Sequence, residues 1–391
     1  MTRDSAVGGA LDFPPRVLRL GPVRAPLPVM LAPMAGVTNL PFRLLCREFG
    51  RGLFVTEMVT SRGLVGGNAA TRRLLRHDPS EQPRSVQLYG VEPGTVAAAV
   101  ALIRREDLAD HIDLNFGCPA PKITRQGGGA ALPWKLELFR RIVGGAVAAA
   151  GPLPVTVKLR LGIDESHLTF LDAGLAAQAE GAAGLTLHAR TAAQHYSGRA
   201  DWSQIALLKR EVAAIPVLGN GDVFTADDAV AMVRETSCDG VVVGRGCLGR
   251  PWLFADLEAA LDGRADRVRP SLGFVADVIR RHAEGLVAFF GSESKALADL
   301  RRHMSWYLRG YPVGGTERAA AHQLSSLADL ERLISGLDQA SPYPGPVAEA
   351  PRGRAGGPKH PRLPDRWLDS RDVTAAHRAA LAGAELSVSG G

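Results

Sequence analysis

Eight short apolar runs recur along the first two-thirds of the chain, at 29–32, 53–56, 85–89, 112–115, 155–159, 185–188, 217–219 and 241–244. Most are apolar throughout and do not alternate. That is the pattern of parallel strands whose outer face is covered. Between them apolar residues return at helical spacing, which predicts helices at 38–49, 93–105, 135–150, 168–180, 202–212 and 226–234. Thr38 is the candidate N-cap of the first, and Pro93 opens the second at a first-turn position. The stretch 62–75 is interrupted by glycines and is the least regular. Strand and helix in alternation imply right-handed crossovers and a parallel sheet. Eight such units fit a closed (β/α)8 TIM barrel better than an open doubly wound sheet.

After Arg250-Pro251-Trp252 the pattern changes. The segments 272–290, 294–308 and 317–337 are helix-like with no strand between them. Residues 342–364 are rich in Pro, Gly and Arg and are expected to be largely disordered, with one short helix at 373–381. The expected order is an N-terminal extension (1–27), a catalytic barrel (28–262), a helical domain (263–338) and a flexible tail (339–391).

The 391 residues, 46% hydrophobic and 22% charged, suffice for a barrel and an accessory domain. The formal charge of +6 mildly favours a polyanionic partner without establishing one. Cys46, Cys118, Cys238 and Cys247 form no C-x-x-C pair, so neither a zinc site nor a disulfide framework is expected. That usage suits a reduced, cytoplasmic compartment. Residues 1–12 lack the apolar run of a signal peptide, and 144–150 is too short to cross a bilayer.

In such a barrel, chemistry sits at the C-terminal ends of the strands. There the chain places Ala32-Pro33-Met34-Ala35-Gly36, Thr56-Glu57-Met58, Gln87, Asp113 to Pro119, Lys158 with Arg160, His188-Ala189-Arg190, Gly219-Asn220-Gly221-Asp222 and Gly244-Arg245-Gly246. Singly, each has a plain explanation. Lys158 could pair with Asp113 or Glu57, His188 could be structural, and a free cysteine is usually a small hydrophobe. Their joint placement at one face carries the weight. Gly219, Gly221, Gly244 and Gly246, with Arg245, leave backbone N–H groups and a cation for a phosphate after the last two strands. Lys158 would stabilise a ring that becomes anionic, such as a reduced flavin. No G-x-G-x-x-G fingerprint follows the first strand, so a tightly held dinucleotide is not indicated.

These residues resemble the tRNA-dihydrouridine synthases, most closely the bacterial B-type branch. The likeness lies in Leu31-Ala32-Pro33-Met34-Ala35-Gly36-Val37-Thr38 with Pro41-Phe42-Arg43, in Asp113-Leu114-Asn115-Phe116-Gly117-Cys118-Pro119 with Lys122, and in Val157-Lys158-Leu159-Arg160. It continues through His188-Ala189-Arg190-Thr191, Asn220-Gly221-Asp222, Gly244-Arg245-Gly246, Gly249-Arg250-Pro251-Trp252 and Arg302-His303-Met304-Ser305-Trp306-Tyr307-Leu308. The stretch 125–129 is richer in glycine than the family pattern. The resemblance implies a flavin mononucleotide (FMN) barrel that reduces uridines in tRNA. Pro33, Met34, Ala35, Gln87, Lys158 and His188 would contact the flavin, and Asn220, Gly221, Asp222, Gly244 and Arg245 its ribityl phosphate. Asn115 and Arg190 would meet the uracil, and Cys118 would donate the proton. NADPH is the implied reductant, with NADH as an alternative, and the implied protein is monomeric, metal-free and not membrane-bound. In the helical domain Arg280, Arg281, Lys295, Arg301 and Arg302 are candidates for tRNA phosphates. Two other readings stay open: an FMN-dependent dehydrogenase of a free pyrimidine, and a non-catalytic tRNA-binding barrel.

Overall fold

The computed structural model describes residues 17–352 and 356–384. A short antiparallel hairpin comes first, β1 (Leu18–Leu20) and β2 (Val23–Ala25), turning at Gly21 with φ +56°. Its Leu18, Leu20 and Ala25 pack with Met30, Leu53, Val55, Leu218 and Val242 of the strands that follow. A Cβ on Gly184, at the start of its strand, would meet Leu20 at 2.8 Å. The hairpin therefore stoppers the N-terminal end of the barrel, in a segment expected only as an extension.

Eight parallel strands follow: β3 (Val29–Leu31), β4 (Leu53–Thr60), β5 (Ser85–Tyr89), β6 (His111–Phe116), β7 (Val155–Arg160), β8 (Gly184–His188), β9 (Val217–Asn220) and β10 (Gly240–Val243). They close in the order β10-β3-β4-β5-β6-β7-β8-β9, the (β/α)8 barrel expected from the sequence. The main core lies between strands and surrounding helices and is built from residues such as Val86, Ile112, Val157, Leu185 and Val241. β4 runs past its expected end and carries a register irregularity between Val55 and Met58. Bulges of this kind re-aim side chains near barrel rims, and Met58 ends at the mouth.

The first helix, Leu40–Phe49, is capped by Asn39 and not by Thr38, because the Asn39 side chain accepts from the Phe42 N–H at 3.2 Å. Thr38 instead turns back, its Oγ1 accepting from the Met34 N–H at 3.0 Å, and so shapes the loop after β3. The helical region packs its own core from Val275, Ile279, Leu286, Leu297, Leu300, Met304 and Tyr307. Helices Leu272–Phe290 and Glu293–Tyr307 are divided at Gly291, which takes φ +62°. The helix expected over 317–337 is two, Gly315–Ala321 and Leu327–Ser335. Ser326 and Asp329 form a capping box that starts a second helix in place of continuing the first. Arg302 joins this region to the barrel, donating to the Gly36 carbonyl at 2.9 Å.

Described residues of the tail expected to be flexible make contacts with the barrel. Trp367 is buried, its Nε1 donating to the Ala131 carbonyl at 3.0 Å. The Lys359 N–H donates to Ala193 at 2.8 Å, and a helix at Ala375–Ala384 follows. Average composition argues for disorder, but it does not register single large anchors such as Trp367. No described helix is long and apolar enough to cross a membrane. No group of three or more His, Cys, Asp or Glu among the described residues is disposed to hold a metal.

A candidate active site at the mouth of the barrel

A cavity of about 640 Å³ opens at the C-terminal ends of the strands. Of the residues singled out from the sequence, Pro33, Met34, Ala35, Gln87, Asn115, Cys118, Lys158, His188, Asn220, Gly221, Asp222, Gly244 and Arg245 all line it. Arg190 does not. The lining is more apolar than polar in character around a few polar groups, the usual make-up of a ligand pocket.

One wall is a side-chain network. Adjacent parallel strands put Gln87 beside Asp113 and Asn115 beside Lys158 in register. Side chains two apart share a face, so Asp113 and Asn115 both project inward, as do Thr156 and Lys158. Gln87 donates to Asp113 at 2.7 Å, Thr156 donates to Asp113 at 2.7 Å, and Asn115 Nδ2 donates to Gln87 Oε1 at 2.8 Å. The Asn115 Oδ1 then accepts the N–H groups of Gly117 and Cys118 at 3.1 and 3.0 Å. The turn that carries the thiol is thus set by a chain of bonds that begins in the barrel interior. Burial raises the Asp113 carboxyl to about 6, against the pull of Thr156 and Gln87. Burial also holds the Cys118 thiol above its ordinary value, more than Arg160 and Lys122 lower it. The Cys118 side chain is half-buried, whereas Cys46, Cys238 and Cys247 are buried.

Lys158 pairs with neither Asp113 nor Glu57 by a salt bridge. Its Nζ donates to Asn220 Oδ1 at 2.9 Å, and Asn220 in turn donates to the Val242 carbonyl at 2.7 Å. Burial brings the ammonium down to about 8. Glu57 instead accepts the Gly36 N–H. His188 is held well below its usual range, by burial first and then by the charges of Arg160 and Lys158, so it stands neutral in the cavity.

The opposite wall is backbone and cations. The N–H groups of Gly244, Arg245 and Gly246 find no acceptor among the described residues. A Cβ built on Gly244 would make only ordinary contact with Ala32 at 3.5 Å and Met34 at 3.7 Å, so protein packing does not demand glycine there. Asp222 takes φ +56° and accepts from Arg190 at 2.7 Å and from the Ala200 N–H at 2.8 Å. The Arg245 guanidinium lies 4.3 Å from the Tyr196 ring centre and 5.4 Å from that of Phe224. Arg190, expected at the substrate, is buried behind this wall, where it donates to Ser197, Gly198 and Asp222. Its Nη1 is buried without a partner among the described residues. Unspent backbone donors beside the Arg245 guanidinium, with the Arg190 charge behind them, fit an anionic group such as a phosphate.

Reading the sequence assigned no role to several lining residues: Met58, Arg160, His195, Tyr196, Phe224 and Lys359. Arg160 had a signal, since it lies two residues beyond Lys158 on the same strand face. Its guanidinium donates to the carbonyls of Gly117, Thr191 and His195, each at 2.9 Å. Tyr196 had none, because it sits in an irregular loop where His195 takes φ +50°. Of the helical-region cations, Arg280 is paired with Asp277 and Glu331, Arg281 with Glu48, and Arg302 with Asp299, while Arg301 donates to the Leu324 carbonyl.

Fold and site together define a (β/α)8 barrel with a one-sided mouth pocket, an anion cradle on one wall and a half-buried thiol on the other. The family model described as "Dihydrouridine synthase (Dus)" matches residues 30–340, and the chain belongs to that family. It is 52% identical over 391 residues to a protein of Mycobacterium leprae (strain TN) named "Probable tRNA-dihydrouridine synthase", covering 93% of this chain and 100% of that one. A "tRNA-dihydrouridine synthase B" of Xanthomonas axonopodis pv. citri (strain 306) is 38% identical, over 83% of this chain and 98% of its own. Among solved structures, histamine dehydrogenase from Rhizobium sp. 4-9 overlays with a TM-score of 0.50 at 14% identity, covering 84% of this chain and 65% of that one. That likeness is one of fold.

Proposed function

We propose that this protein reduces uridines in tRNA to 5,6-dihydrouridine with FMN bound at the mouth of the barrel. The observation that carries the reading is the pairing of an anion cradle and a half-buried, protonated thiol across one cavity. Gly221, Asp222, Gly244 and Arg245 would hold the phosphate, with Asn220 bonding the ribityl chain and Arg190 backing the cradle from behind. Pro33, Met34 and Ala35 would wall the ring, and Gln87, Lys158 and His188 would meet its polar edge. When bound in reduced form, FMN supplies the hydride that uracil C6 accepts.

The chain's own residues do the remaining work. Hydride at C6 leaves negative charge on C5 and the C4 oxygen. Cys118 gives its thiol proton to C5, completing the reduced bond, and the thiolate regains a proton from water. A thiol suits this task because its ordinary pKa, about 8.5, keeps it protonated near neutrality while leaving it a usable acid. Burial strengthens that protonation. Asn115, which fixes the Cys118 turn, would also meet the uracil. The base must turn out of the folded tRNA to reach this depth. Exposed Lys122, Arg125 and Lys359 beside the cavity are better placed for tRNA phosphates than Arg280, Arg281 and Arg301, which are already engaged.

NADPH, or alternatively NADH, would reduce the cofactor. A monomer in the cytoplasm, with the helical region as the second tRNA surface, completes the reading. The test is to map dihydrouridine in the tRNA of a strain lacking this protein. Loss of the base at defined positions, restored by the wild-type chain and not by Cys118→Ala, is the expected outcome. An unchanged modification pattern would overturn the reading.

A further inference from the structure

The family match ends at residue 340, yet the chain beyond it returns to the catalytic mouth. Gly356, Gly357 and Lys359 form part of the cavity wall. Further on, Trp367 lies against the loop that follows Cys118. A Cβ on Gly127 would stand 2.5 Å from the Trp367 ring, and the Trp367 Nε1 donates to Ala131 at 3.0 Å. Lys135, fully buried, uses its three ammonium protons on carbonyls of the tail: Trp367 at 2.9 Å, Ser370 at 2.6 Å and Asp372 at 2.9 Å. Its Nζ also sits 4.7 Å from the Trp367 ring centre. The Trp134 Nε1 donates to Ser370 at 3.1 Å, and the Arg371 guanidinium covers the Trp134 ring at 3.8 Å.

The loop so gripped bears directly on the thiol. The Ala130 N–H donates to the Cys118 carbonyl at 3.1 Å, and a Cβ on Gly129 would stand 2.4 Å from that same oxygen. The Cys118 peptide is therefore held on its N–H side by Asn115, from within the barrel, and on its carbonyl side by a loop whose outer face is the tail.

We propose that Trp367 and Lys135 are positioning residues for Cys118: the C-terminal tail is a strap that fixes the glycine-rich loop 125–131, and through it the proton donor. The glycines give that loop freedom, and Gly127 and Gly129 take φ of +79° and +55°. The strap removes the freedom again. The same grip explains a glycine at 127, where the ring leaves no room for a side chain. This inference rests on Cys118 being the acid, as proposed above.

The test uses the full-length, FMN-loaded protein and four variants: Trp367→Ala, Trp367→Phe, Lys135→Met and Cys118→Ala. Three quantities are read: alkylation of Cys118 by iodoacetamide, followed by mass spectrometry; kcat and KM for dihydrouridine formation; and reoxidation of the dithionite-reduced flavin by oxygen. In Trp367→Ala, Cys118 is expected to alkylate at least fivefold faster while Cys46, Cys238 and Cys247 stay protected. Its kcat falls tenfold or more, with KM for tRNA and the oxygen reaction within twofold of wild type. Trp367→Phe, which keeps an aromatic ring but loses the Nε1 donor and the indole edge over Gly127, recovers only part of the loss. If Trp367→Ala does not fold, Lys135→Met shows the same split at about a third of the amplitude. Folded variants with unchanged alkylation and kcat overturn the strap. So does a kcat loss matched by an equal loss in the oxygen reaction, which marks general damage. Product formation at the normal rate by Cys118→Ala overturns instead the assignment of the acid.

Discussion

The two walls of the cavity are built from different materials. The wall after β9 and β10 offers main-chain N–H groups, glycines and guanidinium groups that are fixed in place before anything binds. The wall from β5 to β7 offers side chains in one connected network, Gln87 to Asp113 and Asn115, and from Asn115 to the Cys118 turn. The first suits a charge that is always present, since backbone donors and arginine hold phosphate without a change of protonation. The second suits a charge that appears and a proton that moves, because its groups have had their proton affinities reset by burial. On the proposed reading the phosphate is held on one side of the slot and the proton is moved on the other, and damage to each wall should look different.

The largest expected effect is on the chemical wall. Cys118→Ala should lower dihydrouridine formation by about 10²–10⁴-fold, the span of a lost general acid, while FMN content stays at wild-type level. Quantifying product and bound flavin in the same preparation checks both halves. Lys158→Met removes a charge-assisted hydrogen bond of about 1.5–3 kcal/mol. It should weaken FMN by roughly 10- to 100-fold in a fluorescence titration, and a change below twofold would remove Lys158 from the ring edge. Gly244→Ala probes the binding wall alone. The methyl would meet only Ala32 and Met34, at ordinary contact distance, and the melting temperature of the protein without FMN is read beside the affinity so that a folding effect is told from a binding one. The methyl fills the cradle, so FMN affinity should fall about tenfold, near 1.4 kcal/mol.

The smallest effect is on the pH profile. A thiol raised above its ordinary value stays protonated further into alkali, so product formation should hold level up to at least about pH 8.5. The free Lys158 ammonium loses its proton near 8, so FMN affinity should weaken as pH rises through that value. In Lys158→Met that decline should vanish while the thiol-dependent fall at higher pH remains. If both limbs vanish together, the Lys158 and Cys118 titrations are not independent.

Much of this was legible in the sequence because parallel strands leave a plain mark. Runs such as those of β5 and β10 are apolar throughout, and their polar successors fall at one face by topology. The pattern of runs alone therefore brings Gln87, Lys158 and Gly244 together. What escaped depends on contacts between distant segments. Asn39 and Thr38 are both good caps, and only the Met34 loop decides which of them caps the helix. The sequence leaves Lys158 a choice of carboxylate partners, but the fold gives it Asn220. The resemblance implies a uracil contact for Arg190, yet the loop that returns at Ser197 and Gly198 buries it. Trp367 stands just beyond the Pro, Gly and Arg-rich run 342–364, in a tail expected to be flexible, and its partner Gly127 is some 240 positions away.

The separation of binding from proton transfer is tested most directly in a single turnover. FMN-loaded protein, reduced with dithionite and mixed with unmodified tRNA, should give one dihydrouridine per flavin, while Cys118→Ala with the same flavin content should give almost none. Equal yields from the two proteins would contradict the account. So would a wild-type protein that leaves tRNA unchanged and reduces free uracil.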